Sequence, residues 1–268
     1  MEIIADYKVT ARNDANAAEN RIHGDEIAAK YGFRGGLVPG VTVFGYLSHP
    51  LVEQFGRQWL VNNVVETRFL KPAFEGDELL ITSRHIEGDD HAGHIETLAH
   101  NQNGELLAFL RSRQSSTQQP VSPLAAQRRQ SAPEGRPEIS WDAIVIDEPY
   151  GDYRFTLSEQ ENRVRAEFLG DGLSCYQSSD GLLHPYFLLD ACNQVMKRRY
   201  FMPAWIHTGS KLVLREPLLV GKEIEIRAVP TRKWETKGHQ LFTVYQSFWQ
   251  QDRLALEVDH TAIFRIAS

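Results

Sequence analysis

The segment PAFEGDELLI (Pro72–Ile81) recurs in this chain as PLLVGKEIEI (Pro217–Ile226). Both copies begin with proline, carry glycine at the fifth position and end in a run typical of a β-strand. Their separation is 217 − 72 = 145 residues in a chain of 268. A match at about half the chain length predicts that two copies of one fold follow each other.

Each half also contains one strongly apolar helical pattern upstream of this segment. Apolar residues recur at helical spacing behind Pro39 in the first half and behind Pro185 in the second. Because these residues cover nearly every side, the pattern predicts helices enclosed by a sheet. At the 145-residue offset Gly45 corresponds to Asp190. An ionisable residue therefore occurs at this position in only one of the two helices.

The rest of each half alternates apolar and polar residues, as half-buried antiparallel strands do. Asn103-Gly104 predicts a two-residue hairpin turn in the first half, and Gln250–Arg253 predicts the corresponding turn in the second. A single apolar helix wrapped by an antiparallel sheet describes the hot-dog fold. We therefore predict an α+β chain that forms a double hot dog, with its two sheets joined edge to edge.

A polar stretch divides the chain. The residues from Gln114 to Ser140 are rich in Gln, Ser, Pro and Arg and have no apolar period, which predicts an exposed linker. We expect a first hot-dog unit over residues 1–113, a linker over 114–148, and a second unit over 149–268.

Composition excludes several classes of function. The 35 acidic and 29 basic residues give a formal charge of −6, which argues against binding to a nucleic-acid backbone. The sequence shows neither an apolar run of membrane-spanning length nor a secretory signal, so we expect a soluble, cytoplasmic protein without membrane contact.

The residues that could bind a metal or form disulfides are few. Cys175 and Cys192 are expected to be core thiols. His91 and His94 lie in a polar turn without further ligands nearby, and we expect no metal site.

Three stretches near the start carry the first functional pattern: NRIHGD (Asn20–Asp25), AAKYGF (residues 28–33) and GLVPG (residues 36–40). They resemble the MaoC-like (R)-specific enoyl-CoA hydratases, in which an Asn-Pro-x-His-x-Asp segment precedes a short helix, a Gly-Phe and the hot-dog helix. The resemblance places the catalytic histidine of that family on His23. The family's partner Asp, five residues earlier, falls on Ala18, and Pro39 stands where the family usually has histidine. A simpler alternative is that Asn20–Asp25 caps the following helix, with Asp25 as N-cap.

The second pattern is LHPYFLLDACNQ (residues 183–194). It resembles the second-half helix of polyketide-synthase dehydratase domains, which are double hot dogs reading His-Pro-x-x-Leu-Leu-Asp-x-x-x-Gln. The resemblance makes Asp190 the acid and Gln194 the residue that holds it, and four residues of separation place both on one helical face. Those domains take their histidine from the first half, at a position that is Lys30 here. His184 is a second-choice base near the pocket mouth, or simply a loop residue before the helix.

Together, the two resemblances predict a composite site made of His23 from the first half and Asp190 with Gln194 from the second. Asn20 would contact the substrate, and the amides of Gly40 and Val41 would donate to a thioester carbonyl at the start of a helix. The chemistry implied is reversible addition or removal of water at an enoyl or 3-hydroxyacyl thioester of coenzyme A or acyl carrier protein. No cofactor is needed, because the thioester itself acidifies the α carbon.

Three alternatives remain at this point. The same fold also hosts acyl thioesterases, in which a helix carboxylate acts on water or on the carbonyl, and non-catalytic acyl-binding proteins. Asp190 could instead be a satisfied core carboxyl, and His260 on an apolar strand face is expected to be a packed core histidine. A homodimer of two such chains is a further expectation.

Overall fold

A computed structural model describes residues 4–15, 17–86, 94–131, 135–179 and 181–267; His91 lies outside them. In the described part of the first half, the α-helices and strands are β1 (Tyr7–Thr10), α1 (Asp25–Lys30), α2 (Gly40–Phe55), β2 (Asn63–Phe69), β3 (Glu78–His85), β4 (His94–His100) and β5 (Leu106–Gln114). Those of the second half are β6 (Tyr153–Phe155), α3 (Glu159–Phe168), α4 (Tyr186–Arg199), β7 (Ile206–Leu214), β8 (Ile224–Thr236), β9 (His239–Gln250) and β10 (Arg253–Arg265).

All ten strands belong to one antiparallel sheet, in the order β1-β3-β4-β5-β2-β7-β10-β9-β8-β6. Counted outward from the central β2–β7 pair, the two halves have the same strand order. That central pair runs from Asn63 opposite Leu214 to Arg68 opposite Gly209. The predicted duplication is therefore present as two equivalent sheets joined edge to edge.

Each half-sheet packs around one long helix. In α2, every residue from Val41 to Val52 is buried, which agrees with the prediction of an enclosed helix. In α4, eight of the 14 residues are buried, and polar groups such as Asp190 and Gln194 are half-buried. Fully buried leucines such as Leu47 and Leu189 each contribute about 1.5–3 kcal/mol through removal of apolar surface from water.

The repeated Pro-x-x-x-Gly segment forms the same turn in both halves. Gly76 has φ +80° and Gly221 has φ +71°, a left-handed conformation that glycine adopts without steric cost. A methyl group at either position would contact no other atom within 4 Å. The glycines are therefore required by the backbone conformation of the turn and not by crowding.

Replacing Gly76 or Gly221 by alanine should lower the free energy of unfolding by about 1–2 kcal/mol in each case, because only the left-handed backbone is penalised. Gly172→Ala is the matched control, since that glycine has equally open space but no left-handed φ, and it should be neutral or slightly stabilising. Urea denaturation of the three variants measures the difference. Equal stabilities for all three would contradict this account of the turn.

Both predicted hairpins are present, but the first has a different turn. The β9–β10 turn has two central residues, Gln251 and Asp252, both with positive φ, as predicted. Between β4 and β5, the Asn101 N–H donates to the Glu105 carbonyl, and Gly104 at φ +76° closes a three-residue loop. The Asn101 side chain accepts from two backbone amides of this loop, which favours the longer turn over the two-residue one.

The segment between the halves packs against both of them. It contains one 3₁₀ turn, Pro123–Ala126, and most of its described side chains are exposed or half-buried. Ala125 and Ile144 are buried, however, and Arg136 forms an ion pair with Glu19. None of the helices in the described part of the chain has the length and apolar character needed to span a bilayer.

Candidate active site

A mostly apolar cavity of about 300 Å³ lies beside the first turn of α2. Its volume is at the lower end of the range for small-molecule sites. Polar groups reach it from both halves: Asn20 and His23 from the first, Asn193 and His207 from the second. Apolar side chains line much of the remainder, among them Ile22, Phe33, Val43, Phe69, Ile263 and Ile266.

His23 is held in one tautomer by two hydrogen bonds. Its Nδ1 lies 2.7 Å from the Leu37 carbonyl oxygen, which can only accept, so Nδ1 carries the proton. Nε2 is therefore the lone-pair nitrogen, and it accepts from the Asn20 amide at 3.2 Å. Burial lowers the pKa of His23, and the hydrogen bond to Leu37 opposes this shift. The ring is neutral at pH 7 and can act as a base.

Asn20 connects His23 to the second half. Its amide nitrogen also donates to the Trp205 carbonyl at 3.0 Å, and its oxygen accepts from the Trp205 N–H at 3.1 Å. Asn20 is buried, so these bonds fix the orientation of its side chain. The predicted substrate contact of Asn20 is thus accompanied by a second role, which is to position the imidazole of His23.

The capping alternative for this segment does not hold. α1 begins at Asp25 with Gly24 as its N-cap residue, and no side chain caps this end. The Asp25 carboxylate instead accepts from the Gly36 N–H at 2.7 Å and fastens the loop that leads into α2. Asp25 therefore stabilises the backbone between His23 and Gly40.

Gly40 begins α2 and lines the cavity. The first amides of a helix have no intrahelical acceptor, and the helix dipole favours negative charge beside them. A Cβ atom on Gly40 would lie 3.2 Å from Phe69 and 3.3 Å from Nδ1 of His207. Val41 has a buried side chain outside the cavity wall, so only its backbone can serve the predicted role.

Asp190 lies on α4, about one helical turn from the cavity-lining Asn193. Neither Asp190 nor Gln194 lines the cavity wall itself. The Gln194 amide donates to both carboxylate oxygens, at 3.2 and 3.3 Å, as the four-residue spacing predicts. Burial raises the pKa of Asp190, although Gln194, Lys197 and Arg165 oppose the shift. A raised pKa is the direction required of a proton donor.

His184 lies in a separate buried cluster. Its Nε2 is 3.2 Å from Asp171 Oδ2, and its Nδ1 accepts from the Tyr186 N–H, so the ring is neutral with its proton on Nε2. His49 Nδ1 is 3.0 Å from the same oxygen, but in poor hydrogen-bond geometry. Burial alone would raise the pKa of Asp171, but these two histidines hold it well below its usual value. The structure does not bring His184 to the cavity of His23.

Ala18, five residues before His23, is exposed and does not line the cavity. His207, on β7, carried no motif signal at all.

Within the described ranges, no group of three or more His, Cys, Asp and Glu side chains is arranged to hold a metal ion. A wider cavity of about 700 Å³ lies on the outer face of the sheet, where Glu96 pairs with Arg84 and Arg111. None of the predicted site residues lines it. We therefore assign the candidate site to the smaller cavity, which contains His23.

Comparison with solved structures identifies the fold. The conserved hypothetical protein Rv0216 of Mycobacterium tuberculosis, described as having a double hot-dog fold, matches with a TM-score of 0.66 over 98% of this chain and 96% of its own, at 12% identity. This chain is a double hot dog. A protein described as a MaoC-like dehydratase matches with a TM-score of 0.62 and 13% identity, over 97% of this chain and 98% of its own.

A third similar structure comes from Lactobacillus plantarum and is provisionally described as an oleoyl thioesterase. It matches with a TM-score of 0.53 and 11% identity, over 99% of this chain and 98% of its own. No family model matches the sequence, and the search of curated proteins found no significant match. Because the identities are low, these similarities establish the fold of the chain, and its function must be argued from the site.

Proposed function

We propose that this double hot dog binds an acyl thioester in the cavity and catalyses reversible hydration of an enoyl thioester to a 3-hydroxyacyl thioester. One observation carries the proposal: a neutral imidazole, with its lone pair on Nε2, lines the same apolar cavity as the N-terminus of α2. A base and a carbonyl-binding helix end are the two elements that chemistry α to a thioester requires.

In the dehydration direction, the Asn20 amide first gives up its hydrogen bond to Nε2 of His23. Nε2 then takes the proton from the α carbon, and the electron pair forms the carbon–carbon double bond. Asp190 gives its proton to the departing 3-hydroxyl, which leaves as water. The proton gained by His23 and the proton lost by Asp190 are then exchanged with solvent, so the net products are enoyl thioester and water. Gln194 holds the Asp190 carboxyl without competing for its proton, because an amide nitrogen only donates.

The Asp190 step is the part that needs reorganisation. Because Asp190 lies about one turn from the wall formed by Asn193, its proton would reach the substrate through a side-chain rotation or a bridging water.

A thioesterase is the second candidate, supported by the description of one structural neighbour as a thioesterase. Hydrolysis could proceed without the joint action of His23 and Asp190.

The function is tested with crotonyl-CoA, by following loss of the enoyl absorbance and release of free thiol in the same sample. Loss of absorbance without thiol release supports hydration, whereas thiol release supports the thioesterase. Absence of both reactions over several chain lengths, with coenzyme A and with acyl carrier protein, would refute both enzymes and leave a binding protein.

We expect Asp190→Asn to reduce turnover by about 10²–10⁴-fold, because asparagine keeps the shape of the side chain and removes its transferable proton. Circular dichroism should show an intact fold. Asp6→Asn is the control for the change in charge, since Asp6 is exposed outside the site, and it should keep full activity. If Asp190→Asn is as active as the parent protein, Asp190 is not the acid.

A further inference from the structure

Two further histidines line the cavity, His207 and His239, and the mechanism above uses neither. Nδ1 of His239 already accepts from the Ala267 N–H. His207, near the start of β7, lines the cavity and is only 6% exposed. Behind it, Nε2 lies 2.9 Å from Ser210 Oγ, which in turn lies 3.0 Å from Nδ1 of His260. The two imidazole rings stack at 4.0 Å. The prediction that His260 is a packed core histidine is confirmed, since it is fully buried.

The other ring nitrogen of His207 is unpaired. No group among the described residues makes a hydrogen bond to Nδ1. Nδ1 lies beside the start of α2, 3.3 Å from the point that a Cβ on Gly40 would occupy. A buried polar atom without a partner is costly, so one that lies in a cavity wall beside a helix N-terminus indicates a ligand atom at that point.

The serine decides which nitrogen of His207 carries the proton. A hydroxyl can donate once, so Ser210 donates either to His207 or to His260. If it donates to His260, Nε2–H of that ring is left in the closed core without an acceptor among the described residues. If it donates to Nε2 of His207, the N–H without a protein acceptor is instead Nδ1–H of His207, which lies at the cavity wall where a ligand atom can accept from it, so a bound ligand favours this arrangement. His207 then carries its proton on Nδ1 and presents an N–H to the cavity.

Resting on the proposed function, we propose that Nδ1–H of His207 and the first amides of α2 together bind the thioester carbonyl oxygen. The helix of one half and a strand of the other would then supply the donors jointly. Substrate binding would satisfy the unpaired N–H, and negative charge developing on the oxygen would strengthen the contact. Gly40 is required because any larger residue would crowd the space that this oxygen occupies.

The electrostatics of His207 agree with a neutral donor. Burial lowers the pKa of His207 to about 3, and the backbone of Gly209 offsets part of this shift. The imidazole therefore stays neutral at pH 5–9 and donates a hydrogen bond without bringing a buried charge. Asn193 adds a second unpaired group to the same wall, since its Oδ1 has no partner among the residues the structure describes. Both observations favour a polar ligand in this cavity.

Two substitutions of His207 separate a hydrogen-bond role from a packing role. His207→Asn keeps an amide N–H close to the position of Nδ1, whereas His207→Leu fills similar space without a donor. We expect the leucine variant to lose about 10²–10³-fold in kcat, and the asparagine variant to recover at least tenfold of that loss. Equal losses in two folded variants would overturn the proposal.

A binding measurement tests the same contact without turnover. The probe is a butyryl-CoA analogue in which methylene replaces the thioester sulfur, with ¹³C at the carbonyl, so that it can be neither hydrated nor hydrolysed. Isotope-edited infrared difference spectra should show the carbonyl stretch shifted to lower frequency in the parent protein, less shifted in His207→Leu, and restored in His207→Asn. Ser210→Ala should give an intermediate shift, because it removes the group that orients the proton.

The outcomes distinguish this inference from the proposed function. A shift that depends on His207, in a protein that does not hydrate crotonyl-CoA, would support the donor and refute the hydratase. Hydration with a carbonyl shift unaffected by the leucine substitution would support the hydratase and refute the donor. If the probe does not bind, both proposals are overturned. Thermal unfolding of each variant confirms that a folded protein was measured, and Ser210→Ala supplies the test if His207→Leu fails to fold.

Discussion

His23→Gln should reduce kcat/KM for hydration of crotonyl-CoA by about 10²–10⁴-fold, the usual contribution of a positioned general base. Glutamine approximates the length of the imidazole and can still bond to Asn20, so the cavity wall should be preserved. It has no nitrogen lone pair that can take a proton at neutral pH. The loss should therefore appear mainly in kcat, measured from the initial rate of absorbance change.

His85→Gln is the matched control for this change. His85 is also half-buried, but it lines the outer cavity together with Arg84 and Glu96. It does not line the cavity that contains His23. We expect this variant to retain the activity and stability of the parent protein. If His23→Gln retains activity as well, His23 is not the base, although its lone pair lies on Nε2.

The free energy of unfolding should fall steeply between pH 6.5 and pH 5. Burial lowers the pKa of four histidines in the folded protein: His23, His184, His207 and His260. Above pH 6.5 both states are neutral at these sites and the stability is fully present. Below pH 6.5 the histidines of the unfolded chain bind protons, whereas those of the folded chain stay neutral until the pH reaches their lower pKa values. The unfolded state is therefore stabilised relative to the folded state over this range. A histidine that stays neutral throughout this range costs up to about 1.4 kcal/mol per pH unit, so His207 and His260 together contribute up to about 3 kcal/mol per unit, and His23 and His184 add to this slope in the same direction.

Urea denaturation at pH 8, 7, 6 and 5 measures this slope. Asp171 does not contribute to it, because its folded pKa is lowered and its stabilisation is lost only as the pH falls below about 3.8. His260→Gln removes one of the four titrating groups and should reduce the slope by about 1.4 kcal/mol per pH unit. Unchanged stability from pH 8 to pH 5 would show that these imidazoles are not held neutral in the folded state.

Much of the fold could be predicted because its signals are local. The prolines and glycines of the repeated turn specify backbone angles that Gly76 and Gly221 adopt in the structure. The density of apolar residues in α2 predicted its enclosure, and the helix is buried from Val41 to Val52. The turn after β4 was less predictable, because the side chain of Asn101 reaches forward to two amides and selects the three-residue form.

The candidate site could be predicted only in part. The family resemblance of the opening segment pointed to His23 and Asn20, and the predicted start of α2 pointed to Gly40; the structure places all three around one cavity. Spacing placed Gln194 against Asp190, because residues four apart share a helical face. Spacing could not show that His184 binds Asp171 in another cluster, since that contact depends on how the loop before α4 packs against α3 and α2.

By itself, the sequence determined that this protein is a duplicated α+β chain with one buried helix per half, since turn residues and apolar periods act over a few neighbouring positions. Only the tertiary structure decided which ionisable groups share a cavity. His23 and His207 are 184 residues apart in sequence, and they line one wall because β2 and β7 join the two sheets. Such proximity depends on strand pairing and helix packing between distant segments, and no local pattern encodes it.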